Sequence, residues 1–365
     1  MICRCTPMCG VLVAVFLCRS IAAVGQTQPD WAGSNVILRD NPGAGPEGDY
    51  DLITIKDGRV LHTERIGEIR FYAKSHDRLV VFGHDKLDTR IRVFGLPQGN
   101  AMGTSTLPKL FCPALQQGAA EGAIGDAEFA YFTGLLDQQC ELVKINIVTG
   151  TVVMMPPPDR GAVSSLTRAG EYLFGPSNRL FSISKDAFDK PTPPYRPTRP
   201  PYTGRRGVVF VPADGLYTWN SLGDLTRVAT ESLDPIAEAD RKPISIARGI
   251  FGAVNPGTPA ADKMVVALTG PKFYGDGKDA SRNEPPDYAL TVAKPSERSI
   301  VGIIKFNFTP TTEIFRTAQD NVVAVVDQSD GSVVKFDCLT SSEVERIVLP
   351  PVAGRVSADR IEVVY

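Results

Sequence analysis

The stretch that decides the fold is residues 322–349, VVAVVDQSDGSVVKFDCLTSSEVERIVL. Residues 322–327 are a β-branched apolar run that predicts a strand, and residues 332–337 (SVVKFD) predict a second strand. Residues 328–331 between them have the composition of a tight turn. Residues 343–349 predict a third strand, which two prolines close. The stretch is therefore one strand–turn–strand–strand unit of β-structure.

The same unit recurs along the chain. Three short β-branched and aromatic runs precede proline within residues 79–108 and again within 129–158, and hairpins are predicted at 172–184 and 208–220. The first strands of the units begin near residues 79, 129, 172, 208, 264 and 322. A period of about 40–50 residues with three or four strands per unit predicts a β-propeller. A β-sandwich or two smaller β-domains remain the alternatives.

Each end of the chain carries part of a unit. Residues 360–365 (RIEVVY) have the pattern of a first strand, but no second strand follows them. Residues 51–64 have the pattern of a second and a third strand, but no first strand precedes them. Joined in space, they would form one blade shared between the N- and C-termini, which closes the ring and protects its edges. We therefore predict an all-β fold, a single propeller of seven blades at residues 51–365, after an N-terminal extension at 26–50. Six or eight blades stay open, because the fourth unit lacks a clear innermost strand.

Two units carry a resemblance to a known superfamily. Residues 129–150 and 322–340 resemble the YVTN/NHL and quinoprotein-like β-propellers, and residues 147–150 (IVTG) are similar to the turn of that family. The resemblance implies the fold and says little about function, because such propellers include lactonases, dehydrogenase subunits, cyclases and binding scaffolds. Two Trp residues are too few for the tryptophan-docking repeat of pyrroloquinoline quinone enzymes. We predict no cofactor.

The N-terminus has the pattern of an export signal. Arg4 precedes an apolar run at residues 11–18 that is too short to span a bilayer, and residues 23–25 supply small side chains for signal peptidase. Arg19, between the two, departs from the pattern. We predict a signal peptide at 1–25, an exported (periplasmic or secreted) protein and no transmembrane segment. The alternative is a misplaced start codon.

Composition narrows the function classes further. A net charge of −2 over 365 residues argues against a general nucleic-acid binder, and three His residues make a multi-histidine metal centre hard to build. We predict no metal and a monomer. Four of the seven Cys residues lie in the predicted leader. Of the other three, Cys112 and Cys140 are the disulfide candidate of an exported protein, which leaves Cys338 over. The alternative is that all three of these Cys residues are buried, unpaired thiols.

Ligand sites in propellers lie on the face built by loops that join the second and third strands of a blade and by loops that join successive blades. Lys190–Arg206 (KPTPPYRPTRPPYTGRR) maps there and is stiff, extended and basic. Its candidate binding residues are Tyr195, Arg196, Arg199 and Tyr202. The segment is either a docking surface for an anionic or proline-recognising partner or a rigid bridge between blades.

Two further segments map to the same face. Residues 264–269 are expected to pair with 299–308 after a long insertion at 270–298, whose candidate residues are Tyr274, Asp276 and Asp279. A loop of this length is a lid, a binding loop or an ordinary solvated loop. His84 and Asp85, expected in another loop, are either a base and its orienting carboxylate or solvated polar residues.

Two function hypotheses follow. The first is an exported binding or scaffold module that recognises a protein or glycan through its loop-rich face, because the sequence has no nucleophile elbow, phosphate loop or paired histidines. The second is a metal-dependent hydrolase of lactonase type, with at least three Asp, Glu or Asn side chains over the central channel.

Overall fold

The structure is a computed structural model. It describes residues 30–42, 49–69, 71–74, 77–85, 88–108, 120–121, 123–124, 128–136, 139–147, 149, 151–155, 167–169, 172–174, 180–183, 185, 187–188, 205–220, 222–228, 244–246, 249–257, 263–270, 288–352, 356–358, 361–363 and 365. For some strand residues, among them His84, Asp85 and Cys140, the description is of the backbone alone. The predicted signal peptide lies outside the described residues.

The described residues form β-strands and turns, with no α-helix among them. Their strands make seven sheets. Sheet 1 contains β1 (Asn35–Asn41), β2 (Asp49–Lys56) and β3 (Arg59–Glu68), and takes its fourth strand, β29, from Ile361–Val363. Sheet 2 contains β4 (Phe71–Lys74), β5 (Arg78–Asp85), β6 (Asp88–Gly95), β7 (Asn100–Pro108) and, parallel to β4, β8 (Ala120–Glu121). Sheet 3 contains β9 (Ala123–Ile124), β10 (Phe129–Leu136), β11 (Gln139–Asn146) and β12 (Val152–Met155).

Four further sheets follow in chain order, each an antiparallel meander of four strands. Sheet 4 contains β13 (Thr167–Ala169), β14 (Tyr172–Phe174), β15 (Leu180–Ser182) and β16 (Ala187–Phe188). Sheet 5 contains β17 (Arg205–Val211), β18 (Gly215–Asn220), β19 (Asp224–Val228) and β20 (Ile244–Ser245). Sheet 6 contains β21 (Gly249–Val254), β22 (Val265–Gly270), β23 (Ala289–Lys294) and β24 (Ser299–Lys305). Sheet 7 contains β25 (Phe315–Arg316), β26 (Val322–Val326), β27 (Val333–Asp337) and β28 (Ser342–Ile347).

The stretch at 322–349 folds as its pattern predicts. β26 and β27 pair antiparallel from Val322 opposite Asp337 to Val326 opposite Val333, and β28 pairs with the far side of β27. Every residue of β26 is buried, because neighbouring sheets cover both of its faces. Alternate residues point to opposite faces of a strand, so Ala324 and Val326 pack towards sheet 1 while Val323 and Val325 pack towards sheet 6.

Sheet 1 does unite the two ends of the chain, but its strand order differs from the one expected. β29 pairs with β1, with Ile37 opposite Val363 and Arg39 opposite Ile361, and β1 in turn pairs with β2. The expected direct pairing of residues 360–365 with 51–56 is therefore wrong. The intervening strand lies in the segment assigned to the N-terminal extension. Its apolar core is only three residues long, which is too short to stand out as a strand pattern.

The expected pairing of residues 264–269 with 299–308 is also wrong. β22 pairs with β23, and β23 pairs with β24, so residues 289–294 are a strand inside the predicted insertion. This strand (ALTVAK) is buried at its first five positions because it lies between two others. Its small residues Ala and Thr made its apolar character weak in the sequence. The region of the insertion outside the described residues is 271–287.

His84 and Asp85 lie at the end of β5 rather than in a loop. His84 is opposite Thr89 and Asp85 is opposite Asp88 on β6, so the hairpin connection is only two residues long. The pairing of β5 with β6 continues beyond the apolar run at 79–83, because hydrogen bonds between strand backbones do not require apolar side chains.

All seven sheets belong to one compact unit, residues 31–365. Its apolar cores lie between successive sheets, as between sheets 1 and 2, 5 and 6, 6 and 7, and 7 and 1. Strands of successive sheets meet in chain order, with contacts from β4 to β9, β9 to β13, β13 to β17, β17 to β21 and β25 to β29. Tyr72 Oη on β4 donates a hydrogen bond of 2.9 Å to Glu362 Oε2 on β29, which connects sheet 2 to sheet 1.

Candidate functional site in a cleft between sheets 1 and 7

The alternation of β1 divides its side chains between two neighbours. Val36 and Leu38 pack in the core shared with sheet 2. Asn35, Ile37 and Arg39 face the other way, towards sheet 7: Asn35 Nδ2 lies 3.3 Å from Glu345 Oε2, and Ile37 belongs to the core between the two sheets. Arg39 is two residues beyond Ile37 and therefore points to the same side of β1. Its guanidinium thus reaches the end of the interface between sheets 1 and 7.

Arg39 is the buried cation of this interface. The residue is 4% exposed, and Nη1 donates a hydrogen bond to the carbonyl oxygen of Pro350. Burial lowers the pKa of Arg39, and the opposite carboxylate of Asp51 counteracts that effect by favouring the charged form. A guanidinium stays protonated in proteins, so the charge is retained. Within the described residues Nε has no hydrogen-bond partner, and the side chain therefore has donor capacity to spare.

The turn between β26 and β27 faces Arg39 and is held in shape by its own side chains. Asp327 Oδ1 accepts hydrogen bonds from Ser329 N at 2.9 Å and Ser329 Oγ at 2.7 Å, and Asp330 Oδ1 accepts one from Ser332 N at 2.8 Å. Gly331 adopts φ of 74°, which glycine tolerates best. Interaction with Ser332, its hydroxyl first, lowers the pKa of the exposed Asp330 carboxyl, so this group is ionised at neutral pH.

A cleft of about 510 Å³ opens between this turn and the segment that follows β28. That volume lies in the range of about 300–1,000 Å³ typical of ligand sites. Its polar lining comes from Arg39, Gln328, Ser329, Asp330 and Ser357. Its apolar lining comes from Leu349, Pro350, Pro351, Val352, Val356, Ala358 and Ile361. The cleft, which we call the Arg39 cleft, is lined by both aliphatic and polar residues, with a cation in its wall and a carboxylate at its rim.

The Arg39 cleft uses both kinds of loop that the sequence analysis assigned to the ligand-binding face. The turn at residues 327–332 joins the second and third strands of sheet 7, and residues 348–360 join sheet 7 to sheet 1. None of the candidate residues named from the sequence is among the described residues that line the cleft. The sequence analysis missed Arg39 because this residue lies in the segment assigned to the N-terminal extension. The one available signal was the charged pair Arg39-Asp40 directly after three apolar residues at 36–38.

Most of the candidate residues lie outside the described part of the chain. These are Tyr195, Arg196, Arg199, Tyr202, Tyr274, Asp276, Asp279 and Cys112. His84, Asp85 and Cys140 have described backbone only, in β5 and β11. Cys338 is described, and it is a buried free thiol.

Two properties of the described residues bear on the function classes. Among them, no group of three or more His, Cys, Asp or Glu side chains is placed to hold a metal ion. In the same part of the chain, no helix has the length and apolar composition needed to cross a bilayer.

Comparison with known proteins identifies the architecture. No protein-family model matches the sequence, and no curated protein matches it either. The solved structure of apo AztD from Citrobacter koseri superposes with a TM-score of 0.53 at 12% identity, covering 90% of this chain and 96% of AztD. A protein from Lactobacillus plantarum gives 0.52 at 12% identity, over 91% of this chain and 100% of its own. The fold is a β-propeller.

A third solved structure shares the fold and carries a functional name. A putative 6-phosphogluconolactonase from Bacteroides fragilis superposes with a TM-score of 0.50 at 14% identity, covering 92% of this chain and 100% of its own. At such identities the likeness extends to the propeller fold alone, since one fold hosts many chemistries. The function must therefore be argued from the Arg39 cleft itself.

Proposed function

We propose that this chain is an exported, monomeric β-propeller that acts as a binding module for a protein or glycan, with the Arg39 cleft as its binding site. The proposal rests on one observation: Arg39, which is 4% exposed and whose Nε is unpartnered among the described residues, lines a cleft of about 510 Å³. The large majority of buried side-chain polar atoms have a hydrogen-bond partner, so an unpartnered donor beside a cleft favours a ligand there. Export is inferred from the N-terminal sequence pattern.

The proposal includes a ring of seven blades. Each of the seven sheets is one blade, and sheet 1 closes the ring by combining β29 with β1, β2 and β3. The contacts between strands of successive sheets support this order, as does the second link from β4 to β29, in which Lys74 Nζ donates to the carbonyl oxygen of Val363 at 2.7 Å. Closure of this kind joins strands from the two ends of the chain in one sheet.

The test fills the cleft by substituting an exposed residue, so that no core residue is changed. Ser357 is exposed and lines the cleft, so Ser357→Trp should fill the opening with an indole. Ser296, exposed in the turn between β23 and β24, takes the same substitution as the matched control. Purified protein is applied to arrays of defined glycans and defined peptides. We expect array members whose binding is lost in Ser357→Trp and kept in Ser296→Trp. Binding that survives Ser357→Trp, or no binding by the parent protein, would contradict the proposal.

The same purified protein is used to test the metal-dependent hydrolase hypothesis. A cation present at about 100 times its dissociation constant stabilises the folded state by roughly 2.7 kcal/mol. Melting temperatures are measured with calcium, magnesium, manganese and zinc, and then with chelator. Stabilisation by one cation that chelator reverses would favour the hydrolase and justify assays with lactones and esters.

The basic, proline-rich segment remains a second candidate docking surface. Its test is replacement by a Gly/Ser linker, and the structure fixes where the replacement must end. β17 begins at Arg205, which pairs with Asn220, so only residues 190–204 can be exchanged without removing part of a strand. Array binding that survives this exchange would exclude the segment as the docking surface.

A further inference from the structure

The charges around the Arg39 cleft select its ligand. Arg39 lies opposite Asp51, so these two charges largely cancel. At the rim, Asp330 presents an exposed carboxylate, the only one among the described lining residues. This carboxylate attracts cations and repels anions.

The residues in the walls of the cleft restrict the class of ligand further. Leu349, Pro350, Pro351, Val352, Val356, Ala358 and Ile361 present aliphatic and proline surface. The described lining residues include no aromatic ring, so they do not supply the flat stacking platform on which a sugar ring packs. Apolar side chains of a peptide suit such walls because burial of aliphatic area drives their association.

The guanidinium and the carboxylate suit a peptide backbone as well. Arg39 offers donors from within the wall, and a carbonyl oxygen is a matching acceptor. Asp330 is exposed at the rim and accepts from ammonium or N–H groups. We propose that the Arg39 cleft binds an extended peptide segment with apolar side chains and one positive charge, whose carbonyl meets Arg39 and whose cation meets Asp330. This inference rests on the proposed binding function and names its partner class.

The positive charge could be an N-terminal amine or a basic side chain, and the test separates these sources. The probes are tetrapeptide amides built from Ala, Val, Leu and Pro, in four forms: free N-terminus, N-acetyl with one Lys, N-acetyl alone, and N-acetyl with a free C-terminal carboxylate. Each pool is passed over the immobilised protein at 50 mM salt, and retained peptides are quantified by mass spectrometry. We expect one or both cationic pools to be retained about two- to fivefold better than the neutral pool, as an exposed ion pair allows, and the anionic pool least.

Asp330→Asn is the decisive variant, because Asn keeps an oxygen for the Ser332 N–H and removes only the charge. Asp57→Asn, in the exposed turn between β2 and β3, is the matched control. We expect Asp330→Asn to abolish the preference for cationic pools, Asp57→Asn to keep it, and Ser357→Trp to abolish retention of all pools. Added salt should weaken the preference, because it screens exposed charges.

Three results would overturn the inference. The anionic pool could be retained as well as the cationic ones, Asp330→Asn could leave the preference unchanged, or no peptide pool could be retained. If peptides fail while defined glycans bind and are blocked by Ser357→Trp, the proposed binding function stands and only the peptide assignment falls. If Ser357→Trp blocks neither class, both fall.

Discussion

Lys335 Nζ donates a hydrogen bond of 2.8 Å to Asn35 Oδ1, although 300 residues separate the two along the chain. Lys335 is fully buried in β27, and its amine also lies 3.0 Å from Glu345 Oε2 on the adjacent β28. Burial lowers the pKa of Lys335, and the hydrogen bond to Glu345 opposes that shift. The three side chains form a polar tie between sheets 7 and 1, at the other end of the interface from Arg39.

Removing the Asn35 side chain should destabilise the fold. Asn35→Ala leaves a buried amine with one partner fewer, so we expect a loss of about 1–3 kcal/mol in the free energy of unfolding. Thr340→Ala is the control, because the Thr340 hydroxyl pairs with Ser342 in an exposed turn and should matter by less than about 0.5 kcal/mol. Urea denaturation measures both. Equal effects of the two substitutions would show that the tie contributes nothing.

The hydrogen bond from Tyr72 to Glu362 should contribute a measurable coupling between sheets 2 and 1. Both residues are buried, so Tyr72→Phe removes a donor from a carboxylate with little access to water and should cost about 1–3 kcal/mol. In a Glu362→Gln background the same substitution should cost less, since a neutral amide needs the donor less. A double-mutant cycle by urea denaturation gives the coupling energy. Additive effects would contradict the prediction.

Gly331 should tolerate a side chain less well than Gly33, although both have φ of 74°. A Cβ on Gly331 would lie 3.0 Å from Ile361 Cδ1, whereas a Cβ on Gly33 would meet nothing within 4 Å. Gly33→Ala therefore measures the backbone penalty alone, about 1–2 kcal/mol. We expect Gly331→Ala to cost more than Gly33→Ala and also to weaken peptide retention, because Gly331 lines the cleft. A smaller stability loss in Gly331→Ala would show that Ile361 moves aside freely.

Cys338 should make stability fall at alkaline pH. Burial, and then the neighbouring Asp337, raises the pKa of its thiol to about 12. The folded chain therefore keeps the proton between the ordinary thiol pKa of about 9 and about 12, while the unfolded chain loses it. The stability that the neutral thiol contributes is complete below pH 9 and is lost as pH rises towards 12.

The measurement is the free energy of unfolding in urea at several pH values between 8 and 11, for the parent and Cys338→Ala. Above pH 9 we expect the parent to lose up to about 1.4 kcal/mol per pH unit more than the variant. Only this difference in slope counts, because Cys338→Ala also leaves a cavity. Parallel pH profiles would contradict a protonated buried thiol.

The strands of the propeller could be predicted wherever the local pattern was strong. β26, β27 and β28 follow their β-branched runs, and the hairpin at β10 and β11 follows its own. Local alternation and turn composition suffice there, because the residues that decide each strand are neighbours in sequence. The weaker strands β1 and β23 escaped the pattern, since their apolar runs are short or built from small residues.

The sequence by itself determined the all-β class and the repeat, because both are written in spacings of a few residues to a few tens of residues. Only the tertiary structure decided that Asn35–Asn41 lies between the C-terminal strand and Asp49–Lys56, and that Arg39 therefore reaches the turn at 327–332. Pro350, whose carbonyl oxygen accepts the hydrogen bond from Arg39, lies 311 residues away, and no local pattern encodes which sheets become neighbours. That choice is made by the burial of apolar faces between sheets, a collective property of the folded chain.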